Sequence, residues 1–378
     1  MKEKVIDWVD SCNKKEIFYW VHFVFYFLSN LNVYFVSYVR ASILVMYLLA
    51  FLYLFIKNHK FKLPPRYFLI AFGLYVVFNT LIIRNFSVHI VYCIISFIII
   101  KELKFTKSQV LSLINKTAIV YLLVSLVLNY TPLSFLSLYN DRLITNKFFP
   151  HLLYRFLGIE GTPAGADIFY SLVLISNIVL NKTKNRRFFI TLSVIILVWT
   201  SSFAPILSIV GALLILPFSN NKVAKATYGS MIWLYQFIII FIYSFGFVHL
   251  NEILNVSSTW RARIWFKMYW SLVSNSTLST WNLGRKALVN FVHQTTTNNP
   301  HNYSLFLLEF AGIPMFIIII GVTTMYFANM KDKYMIFVVA TLFIYASTNT
   351  FIFSIRGNPI FLYILVTYLS FENEPKIE

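Results

Sequence analysis

Residues 164–219 read AGADIFYSLVLISNIVLNKTKNRRFFITLSVIILVWTSSFAPILSIVGALLILPFS, and the fold turns on them. Three apolar runs follow one another, at 164–181, 188–201 and 203–219. A helix needs about 20 apolar residues to cross a hydrocarbon core, and about 17 where the membrane thins. The first two runs are joined by the basic segment NKTKNRR, the last two by the uncharged turn WTSSFAPILS, residues 199–208. Alternation of basic and uncharged joints is the pattern of a chain that keeps its Lys and Arg on one membrane face. The stretch therefore predicts hairpins of membrane-crossing helices.

The rest of the chain agrees. Hydrophobic residues make up 58% and charged residues 12%, with a mean hydropathy of +0.70. Soluble domains carry about 45–50% apolar and about 25% charged residues, so a water-soluble globule is excluded. The same measure predicts further spans at 17–37, 41–57, 66–84, 86–100, 117–131, 228–247, 304–327, 334–352 and 357–371. The expected fold is all-α: a polytopic transmembrane helical bundle of about twelve spans, with residues 1–378 as a single integral membrane domain. The first apolar run is long and lacks an A-x-A-like exit, so it reads as a retained anchor rather than a cleaved signal.

Charge sets the expected orientation. With the N-terminus in the cytoplasm, the segments MKEK…NKKE, KNHKFKLPPR, KELKFTKSQ, NKTKNRR, NNKVAK, MKDK and the C-terminal tail all fall inside, and they hold most of the 32 Lys and Arg. Both termini are then cytoplasmic. Net charge is +18, but the basic residues punctuate apolar segments instead of lining a polar groove. That argues for a lipid bilayer as partner and against nucleic acid. Two cysteines, Cys12 and Cys93, exclude a disulfide framework or a Cys-rich metal site. No Walker A loop, Gly-rich dinucleotide loop or HExxH helix occurs, so ATP-driven transport and zinc hydrolysis lose most of their support.

Two connections are too long for a minimal bundle: about 132–163 and about 248–303, both expected outside. Loops beyond about 12–15 residues are usually functional or disordered. These carry Arg142, Lys147, Arg155, Arg261, Arg263, Lys267, Arg285 and Lys286. Cations kept outside, against the topological bias, suit phosphate-bearing or acidic ligands.

Within the second loop, SSTWRARIWFKMYWSLVSN (257–275) places Arg261, Trp265, Met268 and Leu272 on one helical stripe and Arg263, Lys267 and Ser274 on another. It reads as an amphipathic helix lying on the outer surface. An interfacial anchor explains the pattern, and so does a pair of guanidinium groups held at headgroup height. NNPHNYSLFLLEFAGIPMFIIII (298–320) follows, with His301 and Asn302 at the mouth of a helix and Glu309 seven residues beyond Asn302, on the same face. His301 can act as a general base near neutral pH or, with Asn302, merely cap the helix. An acid two turns into an apolar helix is costly and usually functional. The first loop ends in YRFLGIEGTPAGADIFYSLVL (154–174), where Arg155 and Glu160 lie among turn residues that by themselves describe only a bend.

Taken in order, an R-x-x-G…P approach (Arg155, Gly158, Pro163), a T-x-S turn (Thr200, Ser202), an S-x-x-R-x-x-x-W helix (Ser258, Arg261, Trp265) and an H-N-x-x-L-x-x-x-E-x-x-G exit (His301, Asn302, Leu305, Glu309, Gly312) resemble the O-antigen polymerase and ligase superfamily. The likeness spans about the C-terminal two-thirds of the chain. One departure is that the family often has a basic residue after the T-x-S turn, where this chain has Phe203 and Ala204. The resemblance implies a GT-C-like membrane glycosyltransferase acting in the inner membrane, at its periplasmic face. It implies an undecaprenyl-pyrophosphate-linked oligosaccharide as substrate, no metal or other cofactor, and a chain-length regulator as an admissible partner. Its implied catalytic residues are His301, Arg261 and Arg155, with Arg263, Asn302, Glu309, Glu160 and Lys267 contacting substrate. A polymerase is the preferred reading, because low Ala and Gly with abundant Phe, Tyr, Ile, Lys and Asn suit the AT-rich polysaccharide gene clusters. A ligase acting on lipid A core, and a polysaccharide flippase, are the alternatives. The flippase should have short loops and charge in the bundle centre.

Overall fold

The segment Thr106-Lys-Ser-Gln109 starts a helix by sequence chemistry alone. Thr106 Oγ1 accepts from the Gln109 backbone N–H at 3.3 Å, and Gln109 Oε1 accepts from the Thr106 N–H at 3.0 Å. This reciprocal capping box satisfies two N–H groups that a helix start otherwise leaves without partners. In the computed structural model the helix α1 accordingly runs Lys107–Tyr130. The expected span began at 117, so the supposed loop KELKFTKSQ is helical from Lys107 onward. The polar first turns hid the start from an apolarity count. The structure describes residues 105–133, 154–159, 161–180, 184–201, 203–244 and 333–348, with scattered residues of 15–49 and 316–331.

The other helices follow similar signals. Pro163 occupies the first turn of α2 (Pro163–Val179), where its missing N–H costs nothing. α3 spans Arg186–Thr200 and α4 Phe203–Ile215, the latter tightening into a 3₁₀ turn at Leu216–Phe218. α5 spans Lys222–Ser244, six residues ahead of the expected 228 start. There Asn221 Oδ1 accepts from the Ala224 N–H at 3.0 Å, so part of NNKVAK is a capped first turn and not a loop. α6 spans Lys333–Thr348. Among the described residues the structure is helical with no strand, so the all-α class holds. Among them Ser108–Tyr130 is long and apolar enough to cross a membrane; Gly165–Val179 and Pro205–Phe218 are apolar but shorter. Spans 66–84, 86–100 and 357–371, and the whole of the 248–303 loop, lie outside the described residues.

The chain divides into two compact units, each assembled from separate stretches: 1–61, 89–207 and 351–378 in one, 62–88 and 208–350 in the other. In the first, α2 is buried on nearly every side and packs against both α1 and α3. Its partner α3 buries one stripe, Phe189, Ser193, Ile196 and Thr200, at the three-to-four-residue spacing of a single helix face. Rings of Tyr121, Phe169, Tyr170, Phe156 and Trp199 form a continuous aromatic core. Polar ties fix the register of α1 on α2. Tyr170 Oη donates to the Ala118 carbonyl at 2.8 Å, and the Asn115 and Asn177 amides bond each other reciprocally. Helical residues between 15 and 28 add Tyr19, whose hydroxyl lies 2.7 Å from Thr117 Oγ1, and Glu16, which pairs with Lys116 at 2.6 Å. That hydrogen bond from Lys116 holds the Glu16 carboxyl below its ordinary range.

In the second unit, α6 packs on α5 and on the 3₁₀ turn. The Tyr228 hydroxyl donates to the Gly211 carbonyl, and its ring stacks on Phe327 at 5.8 Å. Lys225 is buried, and its ammonium donates to the Met330 carbonyl just beyond the helical residues 327–329.

Candidate functional site

The described part of the first loop, residues 154–159 and 161–162, is a strap pressed into the first unit. Phe156, Leu157 and Ile159 are buried, so this stretch is core and not a solvent loop. The bend is made by Gly161 N–H donating to the Gly158 carbonyl at 2.9 Å and Gly158 N–H to the Thr162 carbonyl at 3.0 Å. Gly161 has φ 68°, a left-handed conformation that a Cβ would strain.

Both neighbouring helix ends grip the strap. From α1, Tyr130 Oη donates to the Arg155 carbonyl at 2.8 Å and accepts from the Leu157 N–H at 3.2 Å. Asn129 Nδ2 reaches the Leu157 and Gly158 carbonyls. From α3, Trp199 Nε1 donates to the Tyr154 carbonyl at 2.9 Å, and the Trp199 carbonyl accepts from the Phe156 N–H at 3.2 Å.

Arg155 closes the arrangement. Its Nε donates to the Thr200 carbonyl at 2.5 Å and its Nη2 to the Ser201 carbonyl at 3.3 Å. These carbonyls end α3, which has no basic residue in its own last turn. Helix C-termini expose carbonyls and carry partial negative charge, so a guanidinium there is favoured twice, by hydrogen bonding and by the macrodipole. Ser201 terminates the helix at φ 51° and ψ 44°, the left-handed conformation usual just past a helix end. Two motif pieces 45 residues apart, the R-x-x-G approach and the T-x-S turn, thus meet through Arg155. A guanidinium from the strap thus lies at a turn whose following residues, Phe203 and Ala204, are uncharged.

Of the other residues expected in the site, Glu160, Arg261, Arg263, Lys267, His301, Asn302 and Glu309 lie outside the described residues. The sequence reading also passed over residues that the structure brings forward. Tyr130, Asn129 and Trp199 hold the strap, and nothing in their spacing announced it. Asp167 did carry a signal: an acid inside the apolar run 164–181, the kind of residue that marks function in a membrane helix. It is buried just over one turn into α2. The ties of Asn115 to Asn177 and Ala118 to Tyr170 place Ser125 about level with it on α1. Ser125 is fully buried, and its hydroxyl makes no hydrogen bond. Among the described residues no three His, Cys, Asp or Glu side chains come together as a metal site.

No protein-family model, curated protein or solved structure matches the chain.

Proposed function

We propose that this protein is an inner-membrane polysaccharide polymerase of the O-antigen type, joining undecaprenyl-pyrophosphate-linked oligosaccharide repeats at the periplasmic face. One observation supports the reading above the others: Arg155 ties the strap to the turn after α3, so two pieces of the motif order that resembles the polymerase and ligase superfamily form a single cationic joint. In this reading the bundle has about twelve spans, both termini are cytoplasmic, and residues 248–303 are periplasmic.

The chemistry is a glycosyl transfer. An acceptor sugar oxygen bonds to the anomeric carbon as the bond from that carbon to the pyrophosphate oxygen breaks, and the lipid pyrophosphate leaves. His301 takes the acceptor proton, and Asn302 and Glu309 orient the acceptor. Arg261, Arg263 and Lys267 meet the charge growing on the leaving group, as fixed donors do best in a low-dielectric site. Arg155 is a further catalytic cation in this reading, and Glu160 a further substrate contact. Arg155 adds positive charge while its hydrogen bonds hold the turn in place.

Testing starts with topology. A Thr280→Cys variant should be labelled by an impermeant maleimide in intact cells with a permeable outer membrane. Labelling only after lysis would overturn the periplasmic assignment and the mechanism with it. Given the expected topology, His301→Ala should cut polymer by about 10²–10⁴-fold at unchanged membrane level, the usual contribution of a general base. His301→Asn distinguishes base from cap, since Asn caps well but takes no proton near neutral pH. Full-length lipopolysaccharide ladders from His301→Asn would eliminate the base.

A further inference from the structure

The α2–α3 connection ends in Lys184, Asn185, Arg186 and Arg187, all exposed. Arg186 Nη2 donates to the Ile178 carbonyl near the end of α2 at 3.1 Å, so this guanidinium is held in place by a helix end. Lys184 and Arg187 make no hydrogen bond or ion pair. No acid stands in the first turn of α3. Cations there lie against the positive end of the helix dipole, which raises the local potential further. At the described Glu16, by contrast, the carboxylate is occupied by Lys116.

The same helix face continues as lipid-compatible surface. Phe188, Val194, Ile195 and Val198 are exposed, and with Thr191 they form a stripe rising directly from Arg187. From Phe188 to Val198 the stripe is about 15 Å long at 1.5 Å per residue. That is half of a hydrocarbon core about 30 Å thick, the depth one acyl chain fills. Charge and apolarity are therefore arranged in the order of one phospholipid, anionic head first.

We infer that the Lys184–Arg187 tip and the exposed stripe of α3 form a binding site for an anionic phospholipid. Its phosphate is held by Lys184 and Arg187 beside the fixed Arg186, and an acyl chain lies along Phe188, Ile195 and Val198. Zwitterionic lipid fits the stripe but leaves the cations uncompensated, so the site selects by headgroup charge. The inference rests on the membrane reading above, not on the glycosyl-transfer chemistry.

Carbonate extraction of membranes tests the underlying reading first. Recovery in the soluble fraction would defeat the membrane assignment itself, whereas recovery in the pellet leaves the lipid site to be judged alone. The purified full chain in dodecyl maltoside is then titrated with phosphatidylglycerol or phosphatidylcholine, and bound lipid is counted by native mass spectrometry. Phosphatidylglycerol should be preferred, and Lys184→Gln/Arg187→Gln should weaken it by about 30-fold at low salt, the effect of two surface cations. Phosphatidylcholine retention should not change. The charge-keeping variant Lys184→Arg/Arg187→Lys should bind as the wild type does, which separates loss of charge from loss of fold. Equal phosphatidylglycerol retention by wild type and the Gln variant would overturn the site. Displacement of phosphatidylglycerol by millimolar inorganic phosphate would overturn it too, since the tip would then be a free-anion site.

Discussion

At one end of the first unit, the Arg155 guanidinium lies across the Thr200 and Ser201 carbonyls that close α3. At the other, Arg186 lies on the Ile178 carbonyl near the end of α2, while Lys184 and Arg187 beside it pair with nothing. The helices explain why both ends attract arginine: neither α2 nor α3 carries a basic residue in its last turn. Each C-terminus is served by a cation from another element, and Lys225 does the same for the Met330 carbonyl in the second unit. The difference is what remains after capping. The Arg155 end uses its cation to weld two motif pieces together; the Lys184 end has cations left over for a ligand.

The sharpest way to break this contrast is Arg155→Ala. Hydrogen bonds from a charged donor contribute about 1.5–3 kcal/mol each. Losing two at a part-buried joint should cost roughly 2–4 kcal/mol once water has partly replaced them. Thermal unfolding of the detergent-solubilised chain measures this, and lipopolysaccharide ladders from cells with matched protein levels should show polymer lost. Arg155→Lys should recover part of the stability and little of the polymer, because an ammonium cannot reproduce the guanidinium fork on two carbonyls. An Ala variant that melts like the wild type would mean that the cap is energetically idle.

A second test asks whether the Arg155 end is a site or only a joint. Asp167→Asn preserves volume and removes the acidic group of a buried residue. A catalytic or acceptor-positioning role predicts a fall in polymer of about 10²-fold or more in membranes that hold normal amounts of protein. Unchanged ladders would make Asp167 a packing residue and leave the proposed chemistry to the arginines and His301.

Composition and run length were enough to read helices, the all-α class and the α2, α3 and α4 boundaries to within a few residues. Apolar count marks the middle of a helix well. It missed the starts of α1 and α5 because capping by Thr106, Gln109 and Asn221 is polar chemistry outside the apolar run. At the strap, the sequence singled out Arg155 but gave no sign of its partners. Backbone carbonyls have no sequence signature, and Thr200 is brought near only when the strap pairs with Trp199. Asp167 was legible and overlooked.

A smaller effect belongs to the turn itself. Ser201 adopts left-handed φ and ψ, which cost a residue with a Cβ about 1–2 kcal/mol. Ser201→Gly removes that cost but adds freedom to the unfolded chain. It should therefore raise stability by about 0.5–1 kcal/mol, whereas β-branched Ser201→Val should lower it. Combining Ser201→Gly with Arg155→Ala sharpens the comparison, because it shows how far a relaxed turn offsets a lost cap. Non-additive melting shifts would demonstrate that cap and turn act as one unit.

The smallest expected effect lies at Glu16. Its carboxyl is held below the ordinary range, first by the hydrogen bond from Lys116, with burial opposing it and a hydrogen bond from Trp20 and the Lys116 charge adding to it. A lowered folded-state value means that the ionised form stabilises the fold. That contribution is fully present above the unfolded carboxyl range, near pH 4.3, and is lost as pH falls through the folded value. Because the pair is solvent-accessible, the gain should be no more than about 0.5 kcal/mol. Glu16→Gln should lower the melting temperature slightly at pH 7 and low salt. The difference should shrink in roughly 0.5 M salt as the charges are screened. It should close only once pH has fallen through the lowered folded-state value, where wild type and variant are both neutral at this position. A gap that persisted in acid would assign the effect to something other than charge, such as the hydrogen bond from Trp20 Nε1 at 3.4 Å. Lys116 would then join Lys184 and Arg187 as a cation with little structural role.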